Sequence, residues 1–226
     1  MRTNPFLDAW LFLIGATPDH DKVGSLKYVM VVLFLGLLAA SLWIAIVNWR
    51  EDPEQRTGTH LATFGCRVLI GSMWFQGCLW KLPLPVSEGF QYWLGQVGDN
   101  AAFEFHRALV KSVLLPHLHI IDPIVFLAEI SFATSLLLGV AVRLFAFLAT
   151  LFALHLWLGL YLHPTEWGWN YMFLAIIHVL FVAHDAGRSL GLDAWRRRNV
   201  ATRKRMLEQP SDPQTARSRD GRMKTI

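Results

Sequence analysis

Charge is what this sequence has least of. Only 17% of its 226 residues are Asp, Glu, Lys or Arg, where a soluble domain carries about 25%. With 54% hydrophobic residues and a mean hydropathy of +0.35, that scarcity argues against an ordinary cytosolic enzyme and for a polytopic membrane protein. Cysteine is also scarce. The chain has two, Cys66 and Cys78, both inside one apolar segment. Twelve helical residues hold them ~18 Å apart, beyond the ~7 Å that a disulfide tolerates, so both are expected to be small packing residues. There is no glycine-rich nucleotide fingerprint, no phosphate loop, no Cys-x-x-Cys pair and no nucleophile elbow. Any electrons crossing such a chain need a quinone, a haem or a partner subunit as carrier.

What is present is a series of long apolar runs. Five segments read as membrane helices: Tyr28–Trp49, which has no charged residue, Leu61–Leu82, Ile121–Val142, Leu144–His163 and Gly168–Gly187. Pro164 closes the fourth, since proline cannot continue the backbone ladder. Pro5–Ile14 is too short to span and lacks a small-residue cleavage site, so an interfacial helix is expected there rather than a signal peptide. In the connection Pro83–His119, Gly89–Gln96 and Ala101–Leu115 show apolar residues at helical spacing and predict two amphipathic helices lying on the membrane surface. The basic residues set the orientation. From Arg188 onward the chain carries 11 Lys/Arg against 4 Asp/Glu, a net +7 that leaves −3 for the rest. Placing this tail, Arg50, Arg56 and Arg143 inside gives an outside N-terminus and a cytoplasmic C-terminus in the plasma (inner) membrane. The expected fold is all-α: a four-helix transmembrane bundle in residues 59–195, an extra N-terminal transmembrane helix with an interfacial segment in 1–58, and a basic, disordered tail in 196–226. The tail points to anionic lipid, not nucleic acid.

Ionised groups in a bilayer cost at least ~2.5–3.5 kcal/mol each, so each needs a reason. Arg67, Gly71, Trp74, Cys78 and Lys81 recur every three or four residues and share one face of the second span. Glu129 is the acidic group deep in the third. Estimated depths leave a vertical gap of roughly 9 Å between Arg67 and Glu129, which long side chains and a water bridge. Arg67, Lys81 and Glu129 are therefore the candidate polar cluster, either a register-fixing ion pair or a catalytic group. His155 and His178 sit at similar depth on neighbouring spans, with Tyr171 on the His178 face. They are hydrogen-bonded packing residues, ligands of a b-type haem, or, with Trp74, the lining of a quinone pocket. His117, His119 and Asp122 form no defined metal-ligand spacing, and capping roles are expected of them.

Particular runs carry a resemblance. They are Gly77-Cys78-Leu79-Trp80-Lys81-Leu82-Pro83 with Pro85–Leu94, Leu115-Pro116-His117, the Glu129 helix ending Leu136-Leu137-Leu138-Gly139, and Arg143. The most specific are Trp167-Gly168-Trp169-Asn170-Tyr171, His178, and Ala186-Gly187-Arg188-Ser189-Leu190-Gly191-Leu192-Asp193-Ala194-Trp195. Over Thr59–Trp195 this pattern resembles the DoxX/DoxD family, in particular the DoxD-like small subunit of thiosulfate:quinone oxidoreductase. The resemblance implies a four-helix membrane core, quinone as the electron acceptor, thiosulfate oxidation, and a second, largely extracytoplasmic protein subunit that this chain does not contain. Lys81, Lys111 and His117 on the outer side would attract an anionic substrate. The alternatives are a non-catalytic accessory or assembly subunit of a larger membrane complex, and a b-haem electron carrier.

Overall fold

The computed structural model describes the backbone of residues 4–208 and the side chains of residues 4–200. All regular structure within them is helical: α1 Pro5–Leu13, α2 Pro18–Lys22, α3 Leu26–Glu51, α4 Gly58–Cys78, α5 Glu88–Asp99, α6 Glu104–Leu109, α7 Leu118–Leu138, α8 Val142–Gly159, α9 Asn170–Ala183 and α10 Leu192–Glu208. Three stretches are long and apolar enough to cross a membrane: Leu26–Glu51, Glu104–Leu138 and Val142–Gly159. The apolar α9 has 14 residues, and α4 carries Arg67 in its middle.

The helices start where side chains satisfy their first N–H groups. Asn4, Thr17, Thr57 and Ser87 accept from the opening turns of α1, α2, α4 and α5. Helix α7 stops at Gly139, whose φ of 68° is left-handed and closes the helix as C-caps do. Packing pairs α4 with α7 and α8 with α9. On α8 the fully buried residues Ala146, Ala149 and Ala153 repeat at three and four residues. This small-residue stripe lets neighbouring backbones approach closely. Helix α3 joins from outside through Ser41, whose Oγ donates to the Leu137 carbonyl at 2.5 Å. At its other end, rings of Phe12, Phe34 and Phe75 link α1, α3 and α4, with centroids 5.0 and 4.9 Å apart.

The ends of the helices gather at two poles. One holds the end of α3, the start of α4, the α7–α8 turn, the end of α9 and α10. It carries Arg50, Arg56, Arg143 and Arg188. The other holds α1, α2, the end of α4, α5 and α6. Two differences from the sequence expectation stand out. The second apolar segment leaves the α-helix at Cys78 and finishes as a 3-10 turn, Leu79–Lys81. From Arg196, where a disordered tail is expected, α10 continues to Glu208; the rest of that expectation lies outside the described residues.

His20 anchors the second pole. It is 1% exposed, behind Phe12, with Nδ1 2.7 Å from the Thr17 hydroxyl. Burial holds its pKa below the ordinary histidine value, against the pull of Asp19 and Asp21. A lowered pKa means the unfolded segment takes a proton first. The contribution of His20 is thus full above about pH 6.5, the unfolded value, and declines as pH falls below it. The protection of residues 5–22 against hydrogen exchange, taken relative to the intrinsic exchange rate at each pH, is expected to fall below that pH, and His20→Asn to abolish the change. A pH-independent profile in the parent would refute this.

Candidate functional site

The most unusual chemistry sits where α4 gives way to its 3-10 turn. That turn swings Lys81 back against its own helix, where Nζ donates to the Gly77 carbonyl at 3.1 Å. The same ammonium donates to Glu129 Oε1 at 2.8 Å and lies 2.7 Å from Oε2. Gly77 is what permits this approach, since a Cβ there would meet Glu129 Oε2 at 3.2 Å. The pair is largely dry: the side chains of Lys81 and Glu129 are 13% and 5% exposed.

Seven residues before Glu129, and so on the same face of α7, lies Asp122, fully buried. Its Oδ2 accepts from the Ser87 backbone N–H at 2.8 Å. Ser87 in turn donates its hydroxyl to the Trp80 carbonyl at 2.6 Å and caps α5. Asp122 Oδ1 has no hydrogen-bond partner, and Glu129 Oε2 has no donor aligned with it. Two buried carboxylates thus lie on one face of α7, and the one ammonium here is bonded to Glu129. A site with more acid than base, in apolar surroundings, is suited to hold one proton and release it, because ionising both acids leaves an uncompensated buried charge.

A cavity of ≈ 500 Å³ lies against the chain neighbours of this cluster, walled by Asp19, Lys22, Trp80, Leu82, Val86 and Glu88 among others; Lys81, Asp122 and Glu129 do not line it. Lys22 Nζ sits 5.5 Å from the Trp80 ring centroid, a cation–π contact.

Arg67 is not part of this cluster. The structure does not bring Arg67 and Glu129 together, contrary to the sequence expectation. Fourteen residues separate Arg67 from Lys81, about 21 Å along the helix. Arg67 is fully buried at the basic pole, where Nη1 donates to the Ala186 carbonyl at 3.0 Å and packs against Gly139 and Gly191. The segment 186–193 is a knot that ties this pole together. Asp193 accepts from the N–H groups of Ala141 and Val142 at 3.0 and 3.2 Å, capping α8. Asn48 Nδ2 donates to the Gly191 carbonyl at 3.0 Å, and Gln55 Oε1 accepts from the Leu190 N–H at 2.9 Å. His60 Nδ1 pairs with the Ser189 hydroxyl at 2.9 Å. The knot holds Ala141, Asp185 and Leu190 at φ of 50, 49 and 56°, left-handed conformations that non-glycine residues adopt only when their surroundings impose them.

The four aromatic and histidine candidates also separate. Trp74 Nε1 donates to His178 Nε2 at 3.0 Å, and His178 Nδ1 donates to the Leu174 carbonyl at 2.7 Å. Both ring nitrogens of His178 are therefore engaged, and a haem iron would have to displace Trp74. Trp74 packs edge-on to Phe132 and Phe152. His155 instead pairs with His106 of α6, Nδ1 to Nε2 at 2.9 Å. Tyr171 belongs to a second apolar cluster with Phe90 and Leu160. Of the four, none lines either of the two cavities discussed here. His117 Nδ1 bonds the Val113 carbonyl at 2.7 Å, and no group of three or more potential ligands gathers for a metal among the described residues. Sequence reasoning missed Asp122 as a core residue, along with Asn48, Gln55 and His106. Their partners are backbone groups or distant side chains, and no spacing rule marks such contacts. Comparison with protein-family models, curated proteins and solved structures gives no match for this chain.

Proposed function

We propose that this chain is a multi-pass membrane subunit of a quinone-linked oxidoreductase, with Lys81, Glu129 and Asp122 as its proton-handling site. The observation that carries this reading is the buried pair of carboxylates on one face of α7, one of them bonded to Lys81, whose chain neighbours Trp80 and Leu82 wall a cavity. A quinone, when bound, supplies two-electron chemistry coupled to proton transfer, and this cluster is where the chain offers a protonatable group in apolar surroundings. The packed Trp74–His178 pair does not suit a quinone, because its hydrogen bonds are already closed. The Trp80 wall and the Lys22 ammonium suit the ring and carbonyl of the head group better. Lys81 holds and orients the Glu129 carboxylate; Asp122, whose Oδ1 has no hydrogen-bond partner, takes or gives the proton.

The resemblance to the DoxX/DoxD family supplies the electron donor of the proposal, thiosulfate, and its second protein subunit. In this reading α4, α7, α8 and α9 form the four-helix core, α3 is the extra span, and the basic pole faces the cytoplasm. The test is thiosulfate-dependent quinone reduction by membranes with and without the protein. The parent is expected to support it, and Lys81→Met with Glu129→Met to fold yet lose it. Equal rates with and without the protein overturn the catalytic reading.

One observation favours the second reading, a non-catalytic accessory subunit. Helix α3 leaves Val29, Val32, Trp43, Ile46 and Trp49 exposed, a face available to a larger membrane complex. That reading expects co-purification with such a complex and indifference of its activity to the Lys81/Glu129 double variant.

A further inference from the structure

At the basic pole a second cavity of ≈ 200 Å³ opens between α3 and α10. Trp43, Ile44, Val47, Leu192 and Trp195 wall it with hydrocarbon and indole, and Asn48 forms its floor. Trp43 and Trp195 are 67% and 44% exposed, so the crevice opens outward, on the same side of α3 that leaves Ile46 and Trp49 bare. Tryptophans in such positions mark the level where hydrocarbon meets head groups.

The rim is cationic. On α3, Trp43, Val47 and Arg50 follow at four and three residues and form one stripe. On α10, Trp195 and Arg196 lie three and four residues beyond Leu192 and so on its side of the helix. Each wall of the crevice therefore leads to an arginine. Arg50 and Arg196 are both exposed, and among the described residues neither guanidinium has a hydrogen bond or ion pair. Neighbouring acids are already engaged. Glu51 is paired with Arg198 at 2.6 Å, Asp52 Oδ1 accepts from the Glu54 N–H at 3.1 Å, and Asp193 caps α8. An apolar slot leading to two uncommitted guanidinium groups matches a molecule with an aliphatic chain below a phosphate. Basic residues next to a membrane helix attract anionic lipid in the same way.

We propose that the crevice between α3 and α10 is a binding site for one anionic phospholipid, its acyl chain between Trp43 and Trp195 and its phosphate on Arg50 and Arg196. The site is independent of the oxidoreductase reading. It fastens α10 to the bilayer through a ligand rather than through protein contacts alone.

Native mass spectrometry of the full chain, purified in neutral detergent with equal phosphatidylglycerol and phosphatidylcholine of the same acyl chains, tests it. One phosphatidylglycerol is expected to stay bound in preference to phosphatidylcholine. Each basic side chain near an anionic surface contributes about fivefold to binding, so Arg50→Gln with Arg196→Gln is expected to weaken retention about 30-fold. Val47→Phe fills the slot without touching the charges and is expected to lower retention of both lipids. Arg196→Gln alone, on a helix outside the bundle, is expected to cost about fivefold and gives a reading even where the double variant misfolds. Equal retention of the two lipids by the parent overturns the proposal. So does undiminished phosphatidylglycerol binding by Val47→Phe or Arg196→Gln.

Discussion

Lys81→Ala is expected to destabilise the protein by about 3–5 kcal/mol, because it leaves Glu129 charged, buried and without a partner. Denaturant or thermal unfolding in detergent reads this directly. The cost belongs to the orphaned carboxylate rather than to the lost pair. Lys81→Met with Glu129→Met should therefore recover most of it, since an apolar pair of similar volume replaces a buried ion pair at little cost. Glu129→Gln alone leaves Lys81 with the Gly77 carbonyl and an amide oxygen, and should fall between the two. A Lys81→Ala variant as stable as its parent would show that the pair is solvated. The same variants separate structure from chemistry, because a double methionine variant that is stable has lost only the ability to hold charge.

Arg67→Ala is expected to cost about 4 kcal/mol and to loosen the basic pole selectively. Removing a fully buried side chain leaves a cavity worth about 2–5 kcal/mol, and the Ala186 carbonyl loses its donor at about 1–3 kcal/mol. Protease sensitivity in residues 186–195 should rise while α5 and α6 at the other pole stay protected. Arg67→Lys should not restore stability, because an ammonium lacks the planar fork that fills this space. A double-mutant cycle between Arg67 and Glu129 should give a coupling of less than about 0.5 kcal/mol, as expected of separated sites. The cycle between Lys81 and Glu129 should give several times that. Strong Arg67–Glu129 coupling, or an Arg67→Ala variant that unfolds like the parent, would contradict the arrangement.

The helices were legible because bilayer-length apolar runs leave little choice. The expected span Tyr28–Trp49 lies wholly inside α3, and Gly89–Gln96 lies inside α5. The partner of Glu129 was not legible from stripe membership alone. Arg67 and Lys81 share a face of α4, but depth decides between them. Arg67 lies against Gly139, ten residues beyond Glu129, whereas Gly77 faces Glu129 itself, and the 3-10 turn after Cys78 bends the ammonium inward. A helix continued to Leu82, as the apolar pattern suggested, would have carried Lys81 past the carboxylate. The run from Ala186 to Trp195, the most specific part of the family resemblance, is accounted for by the knot. Gly191 lies against Arg67, Asp193 caps α8, and Leu190 and Ser189 bond to Gln55 and His60. Much of what that run does here is to hold four helix ends together.

The knot also sets a timetable. Asn48, Gln55 and Arg67 are made early, and each bonds to a residue made more than a hundred positions later. Until residues 186–193 have left the ribosome, an arginine and two amides wait in or beside the bilayer without their partners. Contacts of such separation form late and slowly. Machinery that inserts the apolar helices therefore meets the early ones as unlatched pieces, and the basic pole is latched only when the segment 186–193 arrives.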